Sequence, residues 1–165
     1  KLTAPGLPDI YQGAELHELS MVDPDNRRPV AFSERERLLA ADSPIDLAAG
    51  WRSGAAKLGL IRRLLKLRTE YPSLFSKGSY EPVEIDGDDQ GRTLAFIRRH
   101  DSDAVLVCAW LGKPDALPPF RLALSGGLEQ MRWYSVLEEK FVGDVTDIGE
   151  LLGSLPVAII KRIPA

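Results

Sequence analysis

From residue 77 to its end the sequence is a succession of short apolar runs, at 80–85, 93–99, 104–110, 120–124, 132–137 and 157–163. Turn-forming clusters separate them: Asp86-Gly-Asp-Asp-Gln-Gly91, Asp101-Ser-Asp103, Lys113-Pro-Asp115 and Ser125-Gly-Gly127. Several short strands at such spacing predict an antiparallel β-sandwich or small barrel. Within 92–99, Leu94 and Phe96 alternate with Ala95 and Ile97, so both faces are apolar and the strand is expected inside the sheet. Gly126-Gly127 reads as a hairpin turn.

The chain before residue 77 has a different rhythm. Leu58, Ile61 and Leu65 form one helical row and Leu60, Leu64 and Leu67 its neighbour, with Arg62, Arg63 and Lys66 on the far side. Two aliphatic rows predict a wide buried face, and Tyr71-Pro72 ends the helix because the residue before a proline is disfavoured there. Ser33-Glu-Arg-Glu36 has the form of a capping box opening a short helix through Ala41, and Ser43-Pro44 ends that helix or begins another. The change of character at 76–79 divides the chain into an α-rich segment, 1–76, and a β domain, 77–165.

Composition removes several function classes. A net charge of −3 and the lack of a basic cluster with interleaved aromatics argue against nucleic acid and anionic membranes. No apolar run approaches the ~20 residues of a membrane span, and Lys1-Leu-Thr-Ala-Pro-Gly6 has no apolar core of a signal peptide, so a cytoplasmic location is the default expectation. Cys108, the lone cysteine, excludes an intrachain disulfide and reads as a core thiol among Leu106, Val107 and Ala109. His17 and His100 lie far apart without zinc-ligand spacing, and neither a G-x-S-x-G elbow nor a phosphate-cradling glycine loop occurs. No metal or other cofactor is expected.

Chemistry concentrates at the start. In Pro5-Gly-Leu-Pro-Asp-Ile-Tyr-Gln-Gly-Ala-Glu15 a short apolar core of Leu7, Ile10 and Tyr11 sits between glycine and proline, predicting a brief buried strand that opens into a loop. Asp23-Pro-Asp-Asn-Arg-Arg-Pro29 follows, a turn-favouring composition. Carboxylates, guanidinium groups and an aromatic ring suit polyol binding, through bidentate bonds to adjacent hydroxyls and packing on a sugar face. The plainer alternative is a tight turn with Arg27 and Arg28 as surface charges. Trp110, Trp133 and Tyr134 offer a second alternative, a non-catalytic carbohydrate-binding platform, although aromatics within apolar strands are more often core.

The opening motif resembles the last barrel strand of the α-amylase superfamily, Gly-x-Pro-x-Ile-Tyr-x-Gly-x-Glu. Together with Val22-Asp-Pro-Asp-Asn-Arg-Arg-Pro-Val30 it closely resembles the maltooligosyltrehalose synthase family. Leu67-Arg-Thr-Glu-Tyr-Pro-Ser-Leu-Phe75, Gly78-Ser-Tyr-Glu-Pro82 and Pro156-Val-Ala-Ile-Ile160 extend the likeness through the chain. The resemblance implies an α+β fragment: the last strand and helices of a (β/α)8 barrel (1–76), then a C-terminal antiparallel β-sandwich domain (77–165). The family reaction is an intramolecular transglucosylation that turns the reducing-end α-1,4 linkage of a maltooligosaccharide into an α,α-1,1 linkage. Its nucleophile, acid/base and transition-state stabiliser are expected upstream of Lys1, so no residue here is assigned a catalytic role and the fragment alone is expected to be inactive.

What the resemblance carries over is substrate binding: Asp23 and Arg27 in an Asp-Pro-x-x-Arg loop, and Tyr11, Gln12 and Glu15 at the rim of the site. Two departures stand out. His17 occupies a position where many members carry Trp, and Ala31 one where they carry Asp, which changes how the loop is anchored. A lone barrel strand and an unpartnered Leu/Ile helix face further imply self-association or a second polypeptide supplying the missing barrel.

Overall fold

A computed structural model describes residues 1–20, 23, 27–41, 50–88, 90–113 and 119–164. Ser43-Pro44, the interior of Asp23-Pro-Asp-Asn26 and most of the turn after Lys113 lie outside the described residues. Packing divides the chain into two units: Lys1–Leu2 with Leu7–Lys66, and Thr3–Gly6 with Leu67–Ala165.

In the first unit, helix α1 spans Phe32–Ala40, and helix α2, Ala55–Glu70, runs on into the second unit. The buried stripe of α2 is narrower than the sequence predicts. Leu58 and Ile61 of the first predicted row and Leu64 and Leu67 of the second are buried and Leu60 is half-buried, whereas Leu65 is exposed, so both rows contribute to a stripe that omits one edge. Each such burial contributes about 1.5–3 kcal/mol. Two side chains of α2 also reach backbone carbonyls: Lys57 Nζ donates to Leu16 at 3.1 Å and Arg62 Nη1 to Leu39 at 3.2 Å. Helix α1 begins earlier than the predicted capping box. Ala31 holds the N-cap position without any side-chain cap, and Ser33 lies inside the helix.

The second unit is built on a six-stranded antiparallel sheet in the order β1-β3-β4-β8-β6-β7. These strands are Glu81–Pro82 (β1), Thr93–His100 (β3), Asp103–Trp110 (β4), Arg132–Ser135 (β6), Lys140–Val142 (β7) and Val157–Ile163 (β8). Glu84–Asp86 (β2) and Arg121–Ala123 (β5) pair separately as a two-stranded sheet. The single run at 80–85 thus becomes two strands in two sheets. Proline offers no N–H to a ladder, and after Pro82 only the Val83 amide still bonds toward β3, at Ala95 O, before the chain changes sheet.

Alternation along the strands builds two apolar faces. One gathers Ala95, Ile97, Leu106, Cys108, Trp110, Trp133, Ala158 and Ile160 beneath β5 and the short helix α4, Ile148–Leu152. The other carries Phe96, Arg98, Val105, Val107 and Ile159, where helix α3, Pro72–Lys77, packs on β3 through Leu74 and Phe75. Cover on both sides is why β3 and β4 read as unbroken apolar runs, and β3 is indeed an interior strand. Gly126 and Gly127, both at positive φ (69° and 75°), do not form a hairpin; they lead from β5 in the small sheet to a 3-10 turn, Leu128–Gln130, and then β6 in the large one.

Candidate functional site

The motif at 5–15 is not a strand here. Residues 7–11 make no ladder, and Leu7, expected to be buried, is 96% exposed. A single extended segment needs neighbouring strands to pair its N–H and C=O groups, and among the described residues this one is paired with no strand. What the segment forms instead is a tight turn, with the Ala14 amide donating to Tyr11 O at 2.9 Å. Tyr11 (59% exposed) and Gln12 project at its head, open to solvent.

Behind that turn the backbone is held closely. Gly13 adopts φ 93°, a conformation that strains any side chain, and a Cβ there would lie 3.0 Å from a methyl of Val30, so the glycine favours the close approach of the two segments. Arg35, on α1, donates from Nε to Glu15 Oε2 at 3.2 Å, from Nη1 to Ala31 O at 3.0 Å, and from Nη2 to Gly13 O. Glu15 is therefore engaged by a guanidinium rather than presented freely. His17 Nε2 lies 2.7 Å from Trp51 O and its ring meets the Trp51 indole edge-on at 5.6 Å.

Asp23 and Arg27 pair with each other, Nη2 to Oδ2 at 2.7 Å, both side chains more than half exposed. An exposed i,i+4 pair of this kind is worth less than about 1 kcal/mol. It leaves a carboxylate and a guanidinium side by side and accessible, a chemistry suited to vicinal hydroxyls. Among the described residues this pair and the Glu15–Arg35 pair share no group. The structure thus brings the five predicted binding residues into two ion pairs and one exposed turn. Sequence reasoning does not single out Arg35, because two of its three partners lie 20 and 22 positions away and no local pattern signals them.

The alternative aromatic platform does not exist as such. Trp110 and Trp133 are core residues whose indole N–H groups donate to Lys113 O and Leu128 O, both at 2.9 Å. Tyr134 is partly buried and meets Phe141 edge-on. Cys108 is fully buried, and burial pushes its thiol pKa up to about 12, which makes it inert as a nucleophile. Among the described residues no group of three or more His, Cys, Asp or Glu is placed to hold a metal ion, and no helix is long and apolar enough to cross a membrane.

No protein-family model matches the chain. It is 34% identical over 162 residues, 98% of its length, to a Mycobacterium tuberculosis protein that carries the name of a maltooligosyl trehalose synthase. Its fold superposes on the maltooligosyltrehalose synthase of Arthrobacter ramosus with a TM-score of 0.74, at 29% identity over 98% of this chain. The α-amylase of Geobacillus thermoleovorans shares the fold at 19% identity, with a TM-score of 0.59. The matched region is 19% of the Mycobacterium protein and 21% of the Arthrobacter one, so the chain spans about a fifth of the relatives it matches.

Proposed function

The chain is a homologue of maltooligosyltrehalose synthases along nearly its whole length, and from that premise we propose that it is the C-terminal segment of such an enzyme. The complete protein then isomerises a maltooligosaccharide, converting the reducing-end α-1,4 linkage to α,α-1,1 by intramolecular transglucosylation in the cytoplasm. The observation that carries this reading is the joint agreement of sequence and fold over 98% of the chain, at TM-score 0.74.

In this reading residues 7–11 are the last strand of a (β/α)8 barrel whose other strands the rest of the enzyme supplies, which accounts for a segment without strand partners whose Leu7 lies in solvent. Tyr11 and Gln12 reach the rim of the active site from the strand's C-terminal end. Asp23 and Arg27 grip sugar hydroxyls as a paired acceptor and donor set. Glu15 supports the loop. The catalytic carboxylates belong to upstream barrel strands, and the β domain is a structural cover. Exposed Leu7, Tyr11, Leu19 and Trp51 are the surface that the barrel, or a second copy of the chain in its absence, covers.

Incubation with maltohexaose tests the proposal. The 165-residue chain alone is expected to form no trehalosyl product, and the same chain joined to the upstream barrel is expected to form it. Product from the isolated chain would show that a complete catalytic set lies within it and overturn the assignment.

A further inference from the structure

We propose that Arg35 is the positioning residue of the substrate loop, and that Glu15 serves as its anchor rather than as a sugar contact. This rests on the reading of Tyr11, Gln12, Asp23 and Arg27 as substrate-binding residues. The geometry is unusual for a helix residue that reads in sequence as a surface charge. Its side chain is only 12% exposed, and three of its nitrogens each reach a different acceptor: Glu15 Oε2, Ala31 O and Gly13 O. Two of these acceptors lie in the loop that carries Tyr11 and Gln12. The third lies in the stretch by which the chain returns from Arg27 to α1.

Arg35 therefore ties the loop that carries Tyr11 and Gln12 to the start of α1, the helix that follows the stretch carrying Asp23 and Arg27. Gly13 completes the joint, since its backbone lies against Val30 as closely as a missing Cβ allows. A planar guanidinium presents donors in fixed directions and can serve three such acceptors at once, whereas an ammonium is a point charge that cannot match the fork. The carboxylate of Glu15 is 29% exposed and oriented by this contact, so the pair fixes the loop rather than waiting for ligand. The inference goes to binding, not to chemistry: a residue that sets where Tyr11 and Gln12 stand changes how well the ground state is held.

Kinetics of the complete enzyme with Arg35→Lys, Arg35→Gln and Glu15→Gln, together with the double variant, test it. A rise in KM for maltohexaose of about tenfold with kcat within about twofold is expected for each single variant, because uniform binding is what is lost. The double variant is expected to be no worse than the poorer single one, as for two groups acting through one contact. A fall in kcat confined to Glu15→Gln, with Arg35 variants unchanged, would place Glu15 on the substrate and overturn the proposal. Amide hydrogen exchange on the 165-residue chain provides an arm independent of activity. Arg35→Gln should lose protection at the Ala14 amide, and unchanged protection there would also overturn the proposal. If the complete wild-type enzyme forms no trehalosyl product, the family reading fails while the exchange result still decides the role of Arg35. Should Arg35→Gln fail to fold, Arg35→Lys and Glu15→Gln carry both measurements.

Discussion

Arg98 donates from Nη1 to the carbonyl of Thr3, 3.0 Å away, although 95 positions separate the two residues. The same guanidinium reaches Ser79 O at 2.6 Å and the carbonyls of Leu74, Phe75 and Gly78 between 3.0 and 3.3 Å. Arg98 is 1% exposed, and every one of these partners is a backbone carbonyl. Burial, with a smaller contribution from nearby Arg68, lowers its pKa. The cation is tolerated because it sits at the C-terminal end of α3, where unpaired carbonyls concentrate negative potential.

Replacing Arg98 with Ala is expected to cost about 3–5 kcal/mol, because several buried carbonyls lose their donor together. Arg98→Lys should recover less than half of that loss, an ammonium being unable to span acceptors arranged around a plane. Urea unfolding reads both values. A Lys variant as stable as wild type would show that charge, not geometry, is what the site requires.

Gly78→Ala tests the same corner from the backbone side. A Cβ at this position would lie 2.2 Å from Leu74 O and 3.0 Å from Arg99 O, although the φ of −62° suits any residue. The obstruction is backbone, so α3 must shift, and a loss of about 2 kcal/mol is expected, less than additive with Arg98→Lys. Thermal melts of the two single variants and the double variant measure it.

Ala31→Asp is expected to stabilise the chain. Ala31 stands at the N-cap of α1 with no side-chain acceptor for the free amides of the first turn. An aspartate there supplies one and places negative charge at the positive end of the helix, worth about 0.5–2 kcal/mol. An unchanged unfolding midpoint would mean that the contacts of Arg35 with Ala31 O already fix this end.

Two similar sequence patterns show where the sequence is readable and where it is not. Ser33-x-x-Glu36 looks like a helix start and is not one, whereas Asp147 caps α4, with the Glu150 amide donating to Asp147 Oδ1 at 2.9 Å and the Glu150 carboxylate accepting from the Asp144 amide. The difference is packing: α4 buries Ile148, Leu151 and Leu152, which fixes its start, while α1 buries no residue. For the same reason β3, β4 and β8 are legible from their apolar runs. The break between β1 and β2 is not, since it depends on β5, whose partner is unknowable from spacing. At the site, the Asp23–Arg27 pair is legible at i,i+4, but Glu15–Arg35 depends on a tertiary meeting.

Acid should weaken the β unit in a defined window. Asp144 receives the hydroxyl and amide of Thr146 and the guanidinium of Arg121, which hold its pKa below the ordinary 3.8. A depressed carboxylate pKa contributes stability above the unfolded value and loses it as pH falls below 3.8 toward the folded value. Glu81, lowered from 4.5 chiefly by Arg99, acts in the same sense. Denaturation midpoints measured against pH should stay level near neutrality and fall through this range, and Asp144→Asn should make the acid limb shallower.

Cys108 should report global opening. Its thiol is fully buried, and burial pushes its pKa up to about 12, so an aromatic disulfide reagent at about pH 8 reacts only when the strand is exposed. Labelling is expected to follow the unfolding curve, one thiol per chain. Rapid labelling under native conditions would contradict the burial.

The large sheet ends in two stubs, a pair of residues closing on Pro82 at one side and three residues starting with Lys140 at the other. Neither margin offers a run of free amides and carbonyls on which another molecule could template a further strand. Among the described residues, copies of this chain that meet at the large sheet therefore do so through side chains. Their assemblies should dissolve on dilution rather than grow as fibrils.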